Sequence, residues 1–250
     1  MYRIAIPSYK RASSICQKTI RLLKDWGFPP EQIDIFVVEE EVESYKLYLE
    51  ADKYYNSLIV GVRGLAEQRF FIQNYYPADT NILFADDDLE RFKVLPSVTN
   101  LPQTCSKMFE LTRSQGCHLW GIYPIANTLF QKERVVKGAV YCVGAFFGYI
   151  NERQLQPPTS EKEDIFNTCY YVKKDGAVLR LESVGVQTRY FKNTGGLQTE
   201  RTKESIRLAA EAVFLAYTDL LNPPVLKKKG KKDEYWDCKF KKSSKQIITL

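Results

Sequence analysis

Asn81-Ile-Leu-Phe-Ala-Asp-Asp-Asp88 sets how the rest of the chain is read. Its apolar run, Ile82 to Ala85, stops at three carboxylates, and Leu89 follows. A short apolar run of this kind is the pattern of a strand buried in a parallel sheet. Its end delivers Asp86, Asp87 and Asp88 to the edge where open α/β sheets bind ligands. Three adjacent carboxylates repel one another, and a cation relieves that cost. Hard oxygen donors suit Mg2+ or Mn2+, which bridge one or two carboxylates to the phosphates of a substrate. The competing reading is a polar turn after a strand.

The residues before this stretch alternate strand and helix. Tyr2 to Ile6 reads as a strand followed by the loop Pro7-Ser-Tyr-Lys-Arg-Ala12. Ser14-Ile-Cys-Gln17 has the form of a capping box. Ile15, Thr19, Leu22, Leu23 and Trp26 share a helical face, and Gly27 with Pro29-Pro30 ends that helix. Ile33 to Val38 is a second strand ending on Glu39-Glu-Glu41, and Val42 to Ala51 a helix. Ser57 to Val62 is a third strand, and Gly64 to Tyr76 a helix. The order β-α-β-α-β-α-β predicts a right-handed, parallel, nucleotide-binding half-sheet over residues 1–90.

Beyond it, residues 104–222 form a second half of mixed character. Ser106 to Gln115 reads as a helix and Cys117 to Ile122 as a strand. Val135 to Ile150 suggests strands with a turn near Lys137-Gly138. Ser160-Glu-Lys-Glu163 is a second capping box, opening a helix to about Lys173. Ala177 to Tyr190 is strand-like. Phe191 to Thr199 is a loop, and Glu200 to Leu221 an amphipathic helix stopped by Pro223-Pro224.

Composition narrows the class. At 250 residues, 44% hydrophobic and 26% charged, the chain has the make-up of a soluble globular protein. No apolar run approaches the roughly 18 residues of a membrane span, and Met1 to Pro7 enters a strand directly, without a signal-peptide pattern. The six cysteines are scattered without CxxC spacing, which argues against a zinc site or a disulfide framework. Reduced thiols in a cytoplasmic protein are expected. Between Lys227 and Lys245 nine lysines face three acids, an excess that equals the whole formal charge of +6. The basicity therefore belongs to a tail, residues 223–250, expected to be flexible.

Four features together resemble the GT-A class of sugar-nucleotide glycosyltransferases. They are the opening strand with Ile6-Pro-Ser-Tyr-Lys-Arg11, Glu39 after the second strand, the helix start Gly64-Leu-Ala-Glu-Gln-Arg69, and Asp86-Asp-Asp88 in the place of the DxD motif. With Tyr123-Pro-Ile-Ala-Asn127 and Gly195-Gly196, the chain is similar to the TET/JBP-associated branch, which includes enzymes that glucosylate hydroxymethylated bases in DNA. The resemblance covers roughly residues 1–215. It implies an α/β fold with a Rossmann-like, mostly parallel central sheet, flanking helices and a mixed-strand acceptor half. It also implies a UDP-sugar donor, Mn2+ or Mg2+, and a hydroxymethylated pyrimidine in DNA as acceptor. A glycan or protein acceptor is the alternative within the fold, and a non-catalytic DNA-binding module the alternative outside it.

The site residues follow from the same resemblance. Pro7, Ser8, Tyr9 and Arg11 would meet the nucleotide, with Arg11 a forked donor for phosphate. Glu39 would accept from a ribose hydroxyl or a uracil N–H. Arg63, Gly64, Gln68 and Arg69 open a helix whose N-terminus favours a diphosphate. Asp88 would hold the metal, Asp86 would reach the metal or the ribose, and Asp86 and Asp87 would meet the nucleotide sugar. Gly195 and Gly196, with Lys192 or Arg201, would close over the diphosphate. Asp164, or else Glu163 or Glu161, would be the general base, although acids are also common in helix first turns for electrostatic reasons. Trp120 and Tyr123 would wall the acceptor pocket, or belong to the core. His118, the only histidine, sits in an apolar stretch and reads as core or pocket wall, which leaves the third metal ligand open. The lysine tail with Tyr235, Trp236 and Phe240 offers phosphate attraction and base stacking, or merely solubility.

Overall fold

The computed structural model describes residues 1–154, 156–158, 161–188, 196, 202–229 and 233–250. β1 (Arg3–Pro7) leads into a helix that begins as α1 (Ala12–Ile15), passes through a π-helical stretch (Cys16–Ile20) and ends as α2 (Arg21–Asp25). The anticipated capping box at Ser14 is not formed, because the helix starts at Ala12 and the Ser14 hydroxyl donates to the Arg11 carbonyl at 3.3 Å. β2 (Ile33–Val37), α3 (Val42–Leu49), β3 (Ser57–Val60), α4 (Leu65–Tyr75) and β4 (Asn81–Ala85) follow. The strands lie in the order β3-β2-β1-β4, all parallel.

Side chains of successive residues leave this sheet on opposite faces. Ile4, Ile6, Leu83 and Ala85 enter one core cluster, and Ala5, Ile82 and Phe84 enter another. Both faces are therefore covered, which is why the run from Ile82 to Ala85 carries no polar residue.

The second half extends the same sheet with mixed directions. Its elements are β5 (Arg91–Val94), α5 (Leu101–Ser114), β6 (Leu119–Tyr123), β7 (Val135–Gly138), β8 (Phe146–Ile150), α6 (Glu163–Asp175), β9 (Val178–Gln187) and α7 (Lys203–Ala216). α5 begins earlier than expected because Asn100 caps it, accepting from the Gln103 N–H at 2.9 Å, with Pro102 in the first turn. β8 pairs antiparallel with β4, placing Phe146 opposite Ala85. β6 lies antiparallel to β8 and parallel to β9, so Tyr123 ends on the same sheet edge as the aspartates. β7 and β8, expected to be joined by a tight turn, are separated in the sheet by β9 and β6.

Trp120 is fully buried in β6, edge-on to Phe109 at 5.4 Å between ring centroids. Its neighbour across the sheet is Gly148, where an added Cβ would come within 1.9 Å of the Trp120 Nε1. Gly148→Ala is expected to destabilise the fold by about 3 kcal/mol or more, since the indole has nowhere to retreat. A thermal melt checks this, and an unchanged midpoint would show that the ring has room to move.

The lysine-rich segment departs from the expected flexible tail. It forms β10 (Val225–Lys229) and β11 (Asp233–Asp237), paired antiparallel, and β12 (Lys245–Ile248), which pairs with β7. Cys238 is buried with Ala210 and Val213 of α7 and Ile165 and Cys169 of α6, and Trp236 and Phe240 pack against this cluster. Apolar residues spaced among the lysines thus cover the inner face of α7, and Lys162 Nζ donates to the Trp236 carbonyl at 2.6 Å. Trp236 and Phe240, expected as base-stacking platforms, are half-buried in this packing.

Candidate active site

The three aspartates emerge where β4 ends, and each meets a different environment. The Asp86 backbone N–H donates to the Ala145 carbonyl at 2.9 Å, which fixes the tip against the start of β8. Asp87 and Asp88 are buried, whereas Asp86 is partly exposed. Arg11, buried in the loop after β1, pairs with Asp87 and lies 2.9 Å from Asp88. Ser8 donates to Asp87 at 2.6 Å and shares its hydroxyl with Tyr45, also at 2.6 Å. Thr188 donates to Asp88 at 3.1 Å. Asp87 therefore serves mainly to hold Arg11 and Ser8.

Arg69 ties the tip to the opposite wall. Its guanidinium reaches Asp86 at 3.1 Å and the Gly144 carbonyl at 2.8 Å, and it pairs with Glu163. Although 30% of the Asp86 side chain is open to the cavity, the protein packed around it pushes the carboxyl up from 3.8 to about 7; Arg69 opposes the rise, and Asp88 and Asp87 add to it. Burial likewise raises Asp87, against the pull of Arg11. The folded pKa of Asp86 lies above its unfolded value, so its contribution to stability is complete below about pH 4 and is lost as pH rises through about 7. In the metal-free protein, Asp86→Asn is expected to flatten the fall in melting temperature between about pH 4 and pH 7. Equal slopes for parent and variant would show that Asp86 does not titrate in that window.

A cavity of about 300 Å³ opens over this tip. Pro7, Ser8, Tyr9 and Arg11 line it from the β1 loop, and Arg63, Gly64 and Gln68 from the start of α4. Asp86, Asp87 and Asp88 form its floor, and Glu163, Asp164 and Gly196 also line it. Gly64 adopts φ +97° as the N-cap of α4, a conformation open to glycine. Gln68 accepts from the Val62 N–H at 2.7 Å and so fixes the turn into that helix. The Arg63 guanidinium lies 5.5 Å from the Tyr9 ring centroid, and Lys10 Nζ lies 5.0 Å from it.

The two acids opening α6 diverge. Glu163 is buried and committed to Arg69. Asp164 is partly exposed, accepts from the Tyr141 hydroxyl and, at 3.4 Å, from the Gly144 N–H. Lys162, in the left-handed region at φ 60°, precedes the helix and supplies no side-chain cap. Ser160, expected to cap it, lies outside the described residues, as do Gly195, Lys192 and Arg201.

Several expected site residues lie elsewhere. Glu39 is exposed on a 3-10 turn (Glu39–Glu41) and does not line the cavity; Val38 does. Its neighbour Glu41 instead accepts from the Lys10 backbone N–H at 2.9 Å and shapes the β1 loop. Trp120 has no exposed surface, so it cannot meet an acceptor. Tyr123 lines a separate cavity, beneath the Arg180 guanidinium at 5.3 Å. His118 sits at the opposite sheet edge between Asp175 at 3.1 Å and Glu152 at 3.2 Å. Nothing local in the sequence marks Tyr141 and Thr188; only long-range contacts bring them to the site.

The donor set suits a hard cation only in part. Asp86 and Asp88 offer carboxylate oxygens, but the described residues contain no group of three His, Cys, Asp or Glu side chains able to hold a metal. Two carboxylates completed by substrate phosphates are the ordinary arrangement for Mg2+-type sites. The residues present fit that partial shell.

A parallel half-sheet, an antiparallel β8 beside the acid-tipped strand and a mixed second half define the GT-A fold. No family model and no curated protein matches the chain. Among solved structures it is similar to glucosyl-3-phosphoglycerate synthase from Mycobacterium tuberculosis in complex with Mn2+, UDP-glucose and phosphoglyceric acid, at TM-score 0.53 and 12% identity over 94% of this chain and 86% of that one. It is also similar to S. aureus TarS 1-349, at TM-score 0.49 and 13% identity, covering 86% of this chain and 66% of that one. For the mannosyltransferase PcManGT from Pyrobaculum calidifontis, in complex with GDP-Man and Mn2+, the TM-score is 0.46 at 13% identity, covering 73% of this chain and 58% of that one. At such identities the likeness is one of fold.

Proposed function

We propose that the chain is a metal-dependent glycosyltransferase that moves a sugar from a UDP-sugar to an acceptor hydroxyl with inversion. The observation that carries this reading is the acid tip of β4 flooring a 300 Å³ cavity, with Asp164 on its wall. The nucleotide would occupy the side built by the β1 loop and the start of α4, where Tyr9 and Arg63 offer a stacking surface and the helix N-terminus favours phosphate. Asp86 and Asp88 would hold Mn2+ or Mg2+. The bound ion would supply Lewis-acid neutralisation of the departing diphosphate.

Asp164 would accept the proton of the acceptor hydroxyl as that oxygen bonds to the anomeric carbon and the bond to the diphosphate breaks. Tyr141 and the Gly144 N–H orient its carboxylate for this step. Glu163, closed off by Arg69, is the poorer candidate for base. The acceptor carried forward is the hydroxymethylated pyrimidine of DNA implied by the motif resemblance, against a glycan or protein hydroxyl. The test is incubation with radiolabelled UDP-sugars and Mn2+ in the presence of unmodified DNA, hydroxymethylated DNA, or glycans. Label in modified DNA alone supports the full reading. Label in glycans keeps the enzyme and replaces the acceptor, and the absence of both transfer and donor hydrolysis overturns the enzyme.

A further inference from the structure

The second cavity, about 290 Å³, has a composition unlike the first. Lys132, Arg134, Arg180 and Lys245 line it, with Glu182 as the carboxylate among them. Glu182 is buried and its two oxygens are spent, one on Arg134 at 2.7 Å and the other on Arg180 at 2.5 Å. Burial alone would push this carboxyl up, but the two guanidiniums outweigh burial and hold it below the ordinary carboxylate range. Glu182 therefore acts as an anchor that fixes two forked donors, and the cavity keeps an excess of positive charge.

Arg180 is further fixed by the Tyr123 ring, and its Nε is buried without a hydrogen-bond partner. A buried donor without an acceptor is costly unless a ligand supplies one. Lys132 and Lys245 stand exposed at the rim, and Phe130 and Ile247 give it apolar surface. Pre-organised guanidiniums with flanking lysines are the chemistry that recognises phosphoryl oxygens. The cavity shares no lining residue with the first, although β9 serves both, contributing Arg180 and Glu182 here and leading to Thr188 there.

We propose that this pocket between β6, β7, β9 and β12 is a second, phosphate-recognising site, with Arg134, Arg180, Lys132 and Lys245 as its donors. The site is independent of the nucleotide-sugar reading. The phosphoryl group belongs either to a small phosphorylated compound or to a phosphodiester strand. Calorimetric titration at low ionic strength with EDTA present, using inorganic pyrophosphate, a hexose monophosphate and a short single-stranded oligothymidylate, separates these sources. At least one probe is expected to bind, and the Lys132→Ala/Lys245→Ala double variant to weaken it at least about tenfold. Arg134→Gln is expected to do the same, and the exposed lysines keep the test valid should that variant fold poorly. Binding of the probe is expected to persist in Asp88→Asn, and UDP affinity with Mn2+ to be unchanged in the double-lysine variant, so failure here is distinct from failure of the donor site. Tightest binding of the hexose phosphate assigns a small ligand, and binding of the oligothymidylate alone assigns a phosphodiester. No binding by any probe, or equal affinity in parent and double variant, overturns the proposal.

Discussion

Asp88→Asn is expected to reduce sugar transfer at least about 1,000-fold, equivalent to about 4 kcal/mol of transition-state stabilisation. The substitution keeps the shape of a buried side chain and leaves an oxygen for Thr188 at 3.1 Å. It removes the charge beside which a diphosphate-bound cation would sit. Because Asp87 still pairs with Arg11, the loop after β1 should hold its place, while loss of the 2.9 Å pair between Asp88 and Arg11 should lower the melting temperature of the metal-free protein modestly. What should disappear is the added stability from Mn2+ with UDP, about 2.7 kcal/mol in the parent at ligand 100-fold over its dissociation constant. Normal transfer, or an undiminished shift in melting temperature with Mn2+ and UDP, would remove Asp88 from metal binding and leave Asp86 to be tested alone.

Asp164→Asn carries the second large effect. Loss of a general base lowers turnover by about 100- to 10,000-fold. Asn preserves the contacts to Tyr141 and Gly144, so UDP affinity should remain, and the loss should fall on kcat. The neighbouring Glu163 supplies the contrast. Glu163→Gln strips one of two carboxylates from the buried Arg69, leaving Asp86 at 3.1 Å, so the loss of this buried pair costs at most about 3–5 kcal/mol. That variant should reveal itself in a lowered melting temperature. Full turnover by Asp164→Asn would move the search for the base to Glu161, which also lines the cavity.

The two acids look equivalent in sequence, adjacent in one helix turn, and only the position of Arg69 separates them. The same limit explains what else was and was not legible. Asn81 to Ala85 forms a strand with the expected bounds because its doubly buried part, Ile82 to Ala85, excludes polar residues. The parallel half-sheet followed from alternation, which is a local signal. Trp120 was ambiguous because an indole suits a sugar-binding wall and a core equally, and the deciding fact is Gly148, distant in sequence and adjacent in space. The position of Glu39 after a strand points to a ligand role, yet a turn of 3-10 helix carries it away from the cavity. In the lysine-rich segment Trp236 and Phe240 are legible among the charges, but nothing local shows that with Cys238 they seat it on α7.

The pairing of β12 with β7 has a bearing on how the basic segment can be studied. Cutting the chain at residue 222 would remove lysines, but it would also strip Ile247 from Val136 and lay bare the hydrogen-bonding rim of β7 in the nine described strands that remain of the sheet. Such a rim recruits strands from other molecules, so a shortened protein would tend to aggregate. Loss of DNA retention in that preparation would reflect clumping as readily as missing charge. Charge reversal at individual lysines, with every strand left in place, isolates the electrostatic contribution.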